Sequence, residues 1–231
     1  DDGGEARRAA PYLIDALPRV PGALPANAAS LSYLGLRTVT GSTRRGSPRQ
    51  ARVLVSFGGE DARDLTGTFL RAAIGRGMIA ARNITAVVGP LFGERSWPDG
   101  IRVVRAAKSL QPLLARHDIL VTHFGTSALE ALAAGVPVVL FNPTAYHRSL
   151  ARAAGIPEIG VRRVRKRALH ALLADPRTLR AGVERFRGAL AASSREALAG
   201  HIGRMVPGSP AGCPACGSLG SVIGRYPFRT Y

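Results

Sequence analysis

The chain has 231 residues, 46% hydrophobic and 20% charged, which is enough for one domain with a sizeable core and too apolar for a disordered polyelectrolyte. Its 32 basic residues outnumber 15 acidic ones, for a formal charge of +17, but no aromatic-rich RNA-binding motif or helix-turn-helix pattern accompanies them, which argues against nucleic acid. No apolar run reaches the about 18 residues of a membrane-spanning helix, and the acidic start Asp1-Asp2-Gly3-Gly4-Glu5 is the reverse of a secretory signal.

The expected location is therefore cytoplasmic, with weak attraction to the inner membrane face or to anionic substrates as an outlet for the positive charge. Arginines are spread along the chain and are densest at Arg162, Arg163, Arg165, Lys166 and Arg167.

Taken in order, residues 1–50 lack sustained periodicity and hold many proline, glycine and serine breaks. They read as an interdomain linker and the remnant of a preceding domain, with one short strand within Tyr12–Leu17. Residues 51–205 change character. Arg52–Phe57 is an apolar strand ending at Gly58-Gly59, and Leu65, Phe69, Leu70 and Ile74 then space as a helix closed by Gly75 and Gly77. Further strands are expected at Ile84–Val88, Ile101–Val104, Ile119–Thr122 and Val138–Phe141. Helices are expected near Leu110–Arg116, Thr126–Ala134 and Tyr146–Ala154. Beyond Arg165 the pattern is helical throughout, with a cap at Asp175-Pro176. Short apolar strands alternating with helices predict a Rossmann-like three-layer α/β/α domain around a parallel sheet.

The richest motif is His123-Phe124-Gly125-Thr126-Ser127-Ala128-Leu129-Glu130, at a strand-to-helix junction. Ligands of open α/β sheets bind at such junctions, outside the carboxyl ends of the strands. Gly125 permits close backbone approach, while Thr126 and Ser127 place hydroxyls and free N–H groups where a phosphate would sit. Glu130, one turn on, could accept hydrogen bonds from sugar or ribose hydroxyls. The same residues also fit ordinary capping, with Thr126 or Ser127 as N-cap and Glu130 completing a capping box. From the residues alone both readings stand.

The run His123-x-Gly125-Thr126-Ser127-x-Leu129-Glu130, followed by Ala134-Gly135-Val136-Pro137-Val138-Val139, resembles the donor-binding motif of GT-B nucleotide-sugar enzymes. Its glycine-to-glutamate spacing is similar to that of lipid A disaccharide synthase and the pseudaminic-acid pathway UDP-sugar hydrolase. It is one residue shorter than in plant and bacterial sugar transferases. Val53–Asp61, with Gly58 and Gly59, resembles the glycine loop that opens the C-terminal domain of that hydrolase and of the peptidoglycan N-acetylglucosaminyltransferase. The resemblance covers about residues 51–200. It implies one half of a GT-B fold that binds a nucleoside-diphosphate sugar, with UDP the expected nucleotide, with His123, Thr126 and Ser127 on the diphosphate and Glu130 on the ribose. Gly58 and Gly59 would let the backbone approach the donor phosphates or the acceptor. Tyr146-His147 stands where the family often carries an Asp-Gln or Asn-Gln pair on the donor sugar hydroxyls, so His147 would touch the donor; a packed aromatic and a surface imidazole remain open for the two. The partner it implies is an N-terminal GT-B domain bearing the acceptor site and the general base, so no catalytic residue is assigned here. Glycosyl transfer, nucleotide-sugar hydrolysis and non-catalytic nucleotide-sugar binding all remain open.

Residues 206–231 read as a linker and a truncated zinc-ribbon-like segment. Cys213 and Cys216 have the C-x-x-C spacing of one zinc knuckle, half of a four-ligand structural site. No cofactor is expected for the main domain. His117, His170 and His201 lack partners at metal spacing and read as structural or surface residues.

Overall fold

A computed structural model of the chain describes residues 6–9, 12–17, 19, 22–36, 51–192 and 198–205. Six strands form one sheet: β1 (Val53–Ser56), β2 (Ile84–Val88), β3 (Arg102–Arg105), β4 (Ile119–Thr122), β5 (Val138–Asn142) and β6 (Glu158–Val161). Their spatial order is β3-β2-β1-β4-β5-β6, every pair is parallel, and β1 meets both β2 and β4. This is the doubly wound Rossmann arrangement, in which the winding reverses between β1 and β4.

Every residue of β1, β2, β4 and β5 is buried, because helices cover both faces of the central strands. Val53, Val55, Val121, Val139 and Phe141 face α1 (Leu65–Ile74) and α5 (Lys166–Ala174). Leu54, Leu120, Val138 and Leu140 face α2 (Gln111–Leu114), α3 (Thr126–Ala133) and α4 (Ala145–Ala153). Helix α6 (Pro176–Ala192) bridges the two cores, burying Leu179 in the first and Val183 and Phe186 in the second. As expected from Asp175-Pro176, the Asp175 carboxylate caps α6, accepting from the Arg177 and Thr178 N–H groups and the Thr178 hydroxyl, and these bonds hold it below its usual acidity range.

One element departs from the sequence reading. The segment after α4 contains a sixth strand, β6, not only a connection to helices. Glu158 and Gly160 break its apolar pattern, and the ladder to β5 slips at Leu140/Phe141. Gly160 sits at φ 142, and a β-carbon there would lie 2.1 Å from the Arg163 carbonyl oxygen, so only glycine fits this turn.

The described part of residues 1–50 packs against the domain. The Arg7 guanidinium forks onto the Asp15 carboxylate at 2.7 and 2.9 Å, and Ile14–Asp15 pairs in parallel with Ala28–Ala29. Leu31, Leu34 and Leu36 pack on the second core, and Tyr12 and Tyr33 flank His201 of α7 (Leu198–Met205). His201 is thus packed in an aromatic contact, while His170 is exposed. His117 is structural: Nδ1–H donates to the Leu113 carbonyl, and Nε2 meets the Thr85 hydroxyl at 2.9 Å.

Candidate functional site

The winding reverses between β1 and β4, where doubly wound folds bind their ligands, and two helices start beside this point with opposite characters. At α1 the end is already filled. The buried Asp61 carboxylate accepts from the Leu65 and Thr66 N–H groups at 2.8 and 2.9 Å, and Asp64 accepts from Gly67 at 3.0 Å. Both aspartates adopt left-handed backbone conformations, φ 47 and 50, to reach back over the helix. Arg71 and Arg95 then neutralise Asp64. The first N–H groups of α1 are thus already satisfied within the protein.

The α3 end is different. Its N-cap is Gly125, and no side chain caps it. The capping box that Thr126 or Ser127 and Glu130 might have formed is therefore absent. Thr126 is exposed, Ser127 and Glu130 are half-buried, and Ala128, Leu129, Ala131 and Leu132 are buried. The three polar side chains thus share the one face of α3 turned from the core, and Glu130 stands one turn beyond the open end. An uncapped helix start at a switch point attracts anions through its N–H groups and dipole.

Three further groups face this end. His123 lies between Phe57, stacked at 6.4 Å, and His147, edge-on at 5.7 Å. Its Nδ1–H donates to the Phe124 carbonyl at 2.8 Å, which leaves Nε2 on the side of Gly58, 3.9 Å from where a Gly58 β-carbon would be. Gly58 needs glycine for its φ of 89. Gly59 is a different case: a β-carbon there would meet nothing within 4 Å. Beside this loop, Gly89 lies against the Gly59 backbone, where packing leaves no room for a β-carbon.

His147 comes to the site from α4. Thr144 caps that helix, accepting from the His147 N–H at 3.3 Å, and the Thr144 hydroxyl lies 2.8 Å from His147 Nδ1. Burial first, then the charges of His123 and Arg63, hold the His147 imidazole below its ordinary pKa. That influence singles out Arg63, exposed on the β1–α1 turn, as a guanidinium near the winding reversal. Sequence reasoning had no means of choosing it among so many arginines. Asp61 and Asp64 were equally missed, although acidic residues just before a helical run are a legible capping signal.

A separate cleft of about 660 Å³ opens beside α1, lined by Asp64, Arg71, Arg95 and Trp97 among others. Asp64 in it is paired with Arg71 and Arg95. Cys213 and Cys216 lie outside the described residues.

No family model and no curated protein matches the chain. Solved structures do. TarM is 10% identical over 74% of this chain and 37% of its own, with a TM-score of 0.50. The spinosyn rhamnosyltransferase SpnG, complexed with thymidine diphosphate, is 16% identical over 79% of this chain and 54% of its own, with a TM-score of 0.49. The Anabaena protein HepE, in complex with UDP and glucose, is 13% identical over 62% of this chain and 44% of its own, with a TM-score of 0.47. At these identities the likeness is one of fold. The chain has the fold of one GT-B half. It spans between 37% and 54% of the length of those proteins, and within this GT-B half the open α3 end faces the winding reversal.

Proposed function

We propose that this domain binds a nucleoside-diphosphate sugar, with the diphosphate on the α3 N-terminus, as the donor half of a glycosyl-transferring enzyme. The observation that carries the reading is the contrast between the two helix ends at the reversal: α1 is closed by Asp61 and Asp64, and α3 is left uncapped. Thr126 and Ser127 would supply N–H and hydroxyl donors, and Arg63 a cation, with the His123 ring beside them. Glu130, on the same face one turn further, would accept from the ribose hydroxyls. In a two-domain enzyme these groups would stabilise the charge that builds on the diphosphate as the sugar leaves.

The test is calorimetric titration of UDP and UDP-N-acetylglucosamine into the folded chain and its Glu130→Ala variant. Losing hydrogen bonds to a carboxylate should weaken binding about tenfold or more. Equal affinity for both proteins would remove Glu130 from the site, and no binding by folded wild-type chain would sink the reading.

A second surface fits the notion of a peripheral protein. Arg162, Arg163 and Arg165 on the turn between β6 and α5, and Lys166 and Arg167 in the first turn of α5, are all exposed, at the same carboxyl edge as the site. Arg165 is engaged by Glu158 at 2.6 Å, and the other four have no acidic partner among the described residues. We assign this turn to an anionic membrane surface, where each cation contributes about 1 kcal/mol. Replacing the four by glutamine should lower affinity for phosphatidylcholine vesicles containing phosphatidylglycerol by about a hundredfold or more. Equal binding to purely phosphatidylcholine vesicles, or an unchanged variant, would count against it.

A further inference from the structure

We infer that Asn142 is a positioning residue for the phosphate-facing turn, holding the His123-Phe124-Gly125 backbone to the end of β5. The inference deepens the function proposed above and rests on that reading for its ligand.

Asn142 is the last residue of β5 and is completely buried. A carboxamide in such a place costs stability unless it is used. Its Oδ1 accepts the Phe124 N–H at 2.9 Å, and that donor decides which end of the amide is oxygen. The bond lies where the backbone ladder has ended, since the last β4–β5 register pair is Thr122↔Leu140. The side chain thus extends the ladder by one bond, into the turn that opens α3. On its other side the Asn142 carbonyl accepts the Arg162 N–H at 2.9 Å, tying the same point to the turn after β6.

The consequence runs through one residue, Phe124. Asn142 fixes Phe124 from its N–H, and the Phe124 carbonyl accepts His123 Nδ1–H. Without Oδ1, the Phe124 N–H would be buried and unpaired, so this turn would have to shift to reach water, taking the His123 acceptor with it. Asn142 also leaves its own Nδ2 buried without a protein acceptor, an expense that packing alone does not explain, because leucine has a similar shape and no orphan donor.

The test compares the full chain with its Asn142→Leu and Asn142→Asp variants by nitrogen-15 NMR, which reports the His123 tautomer, and by amide exchange at Phe124. In Asn142→Leu, Phe124 should exchange at least about tenfold faster and the Nδ1–H tautomer should lose its dominance, while the Leu54 and Leu120 amides of the core stay protected. Asn142→Asp keeps an acceptor at Oδ1 and should restore both signals. UDP-N-acetylglucosamine affinity should drop about tenfold in the leucine variant. An unchanged Phe124 amide and tautomer in Asn142→Leu would overturn the inference, as would a loss of protection shared equally by the core. If the leucine variant does not fold, the aspartate variant decides: wild-type tautomer and exchange support positioning, and their loss overturns it. Failure of the wild-type chain to bind nucleotide would defeat the proposed function, while the tautomer and exchange readings would still judge Asn142.

Discussion

Replacing Gly89 by alanine is expected to destabilise the fold by about 3 kcal/mol, whereas the same change at Gly59 leaves its stability unaltered. A β-carbon on Gly89 would stand 2.3 Å from both the Cα and the carbonyl oxygen of Gly59. Those are backbone atoms, so no rotamer change relieves the overlap. The two segments are also tied, because the Leu91 N–H donates to the Gly59 carbonyl at 3.3 Å. Relief therefore requires the β2–β3 connection to separate from the glycine loop after β1. Gly59→Ala instead points its methyl into open space on the exposed side of that loop. If the loop approaches a bound nucleotide, Gly59→Ala should melt like wild type and bind UDP-N-acetylglucosamine about tenfold more weakly. Thermal unfolding and calorimetry on the two variants check both halves. Equal melting temperatures would refute the contact, and undiminished affinity in Gly59→Ala would move the ligand away from Gly59.

The second large effect is the loss of the His123 ring. Its Nδ1–H is engaged by the Phe124 carbonyl and the ring is held between Phe57 and His147, so Nε2 is kept on the side of Gly58. If the diphosphate lies on the α3 end, His123→Ala removes a polar group beside it and should weaken UDP-N-acetylglucosamine binding about tenfold. Calorimetry at one pH on wild type and variant, with thermal unfolding to show that both are folded, checks it. Undiminished affinity in a folded His123→Ala protein would take His123 out of the site.

Much of the fold was legible in the chain. Val53–Ser56, Ile84–Val88, Ile119–Thr122 and Val138–Asn142 are predominantly apolar runs because a doubly covered parallel sheet buries both of their faces. Helix α1 stops before Gly75, and α6 starts at Asp175-Pro176, where local chemistry is enough to mark an end. The strand β6 was not legible, since Glu158 and Gly160 serve an edge position and a tight turn, which only the neighbouring β5 and Arg163 explain.

The candidate site divides along the same line. The turn His123–Glu130 is contiguous, so its place at a strand-to-helix junction followed from sequence, but whether the helix was capped did not. That depended on Gly125 taking the cap position without a side-chain bond, and on Asp61 and Asp64 closing the other helix. His147 stands 24 residues from His123 along the chain, and Asn142 reaches Phe124 from a neighbouring strand. What the sequence determined by itself was the elements and their ends, because periodicity, caps and glycine turns act over a few residues. Tertiary structure alone decided the strand order, the filled and open helix ends, and the pairing of His123 with His147 and of Asn142 with Phe124. Those follow from which apolar faces bury one another, and no local pattern records that choice.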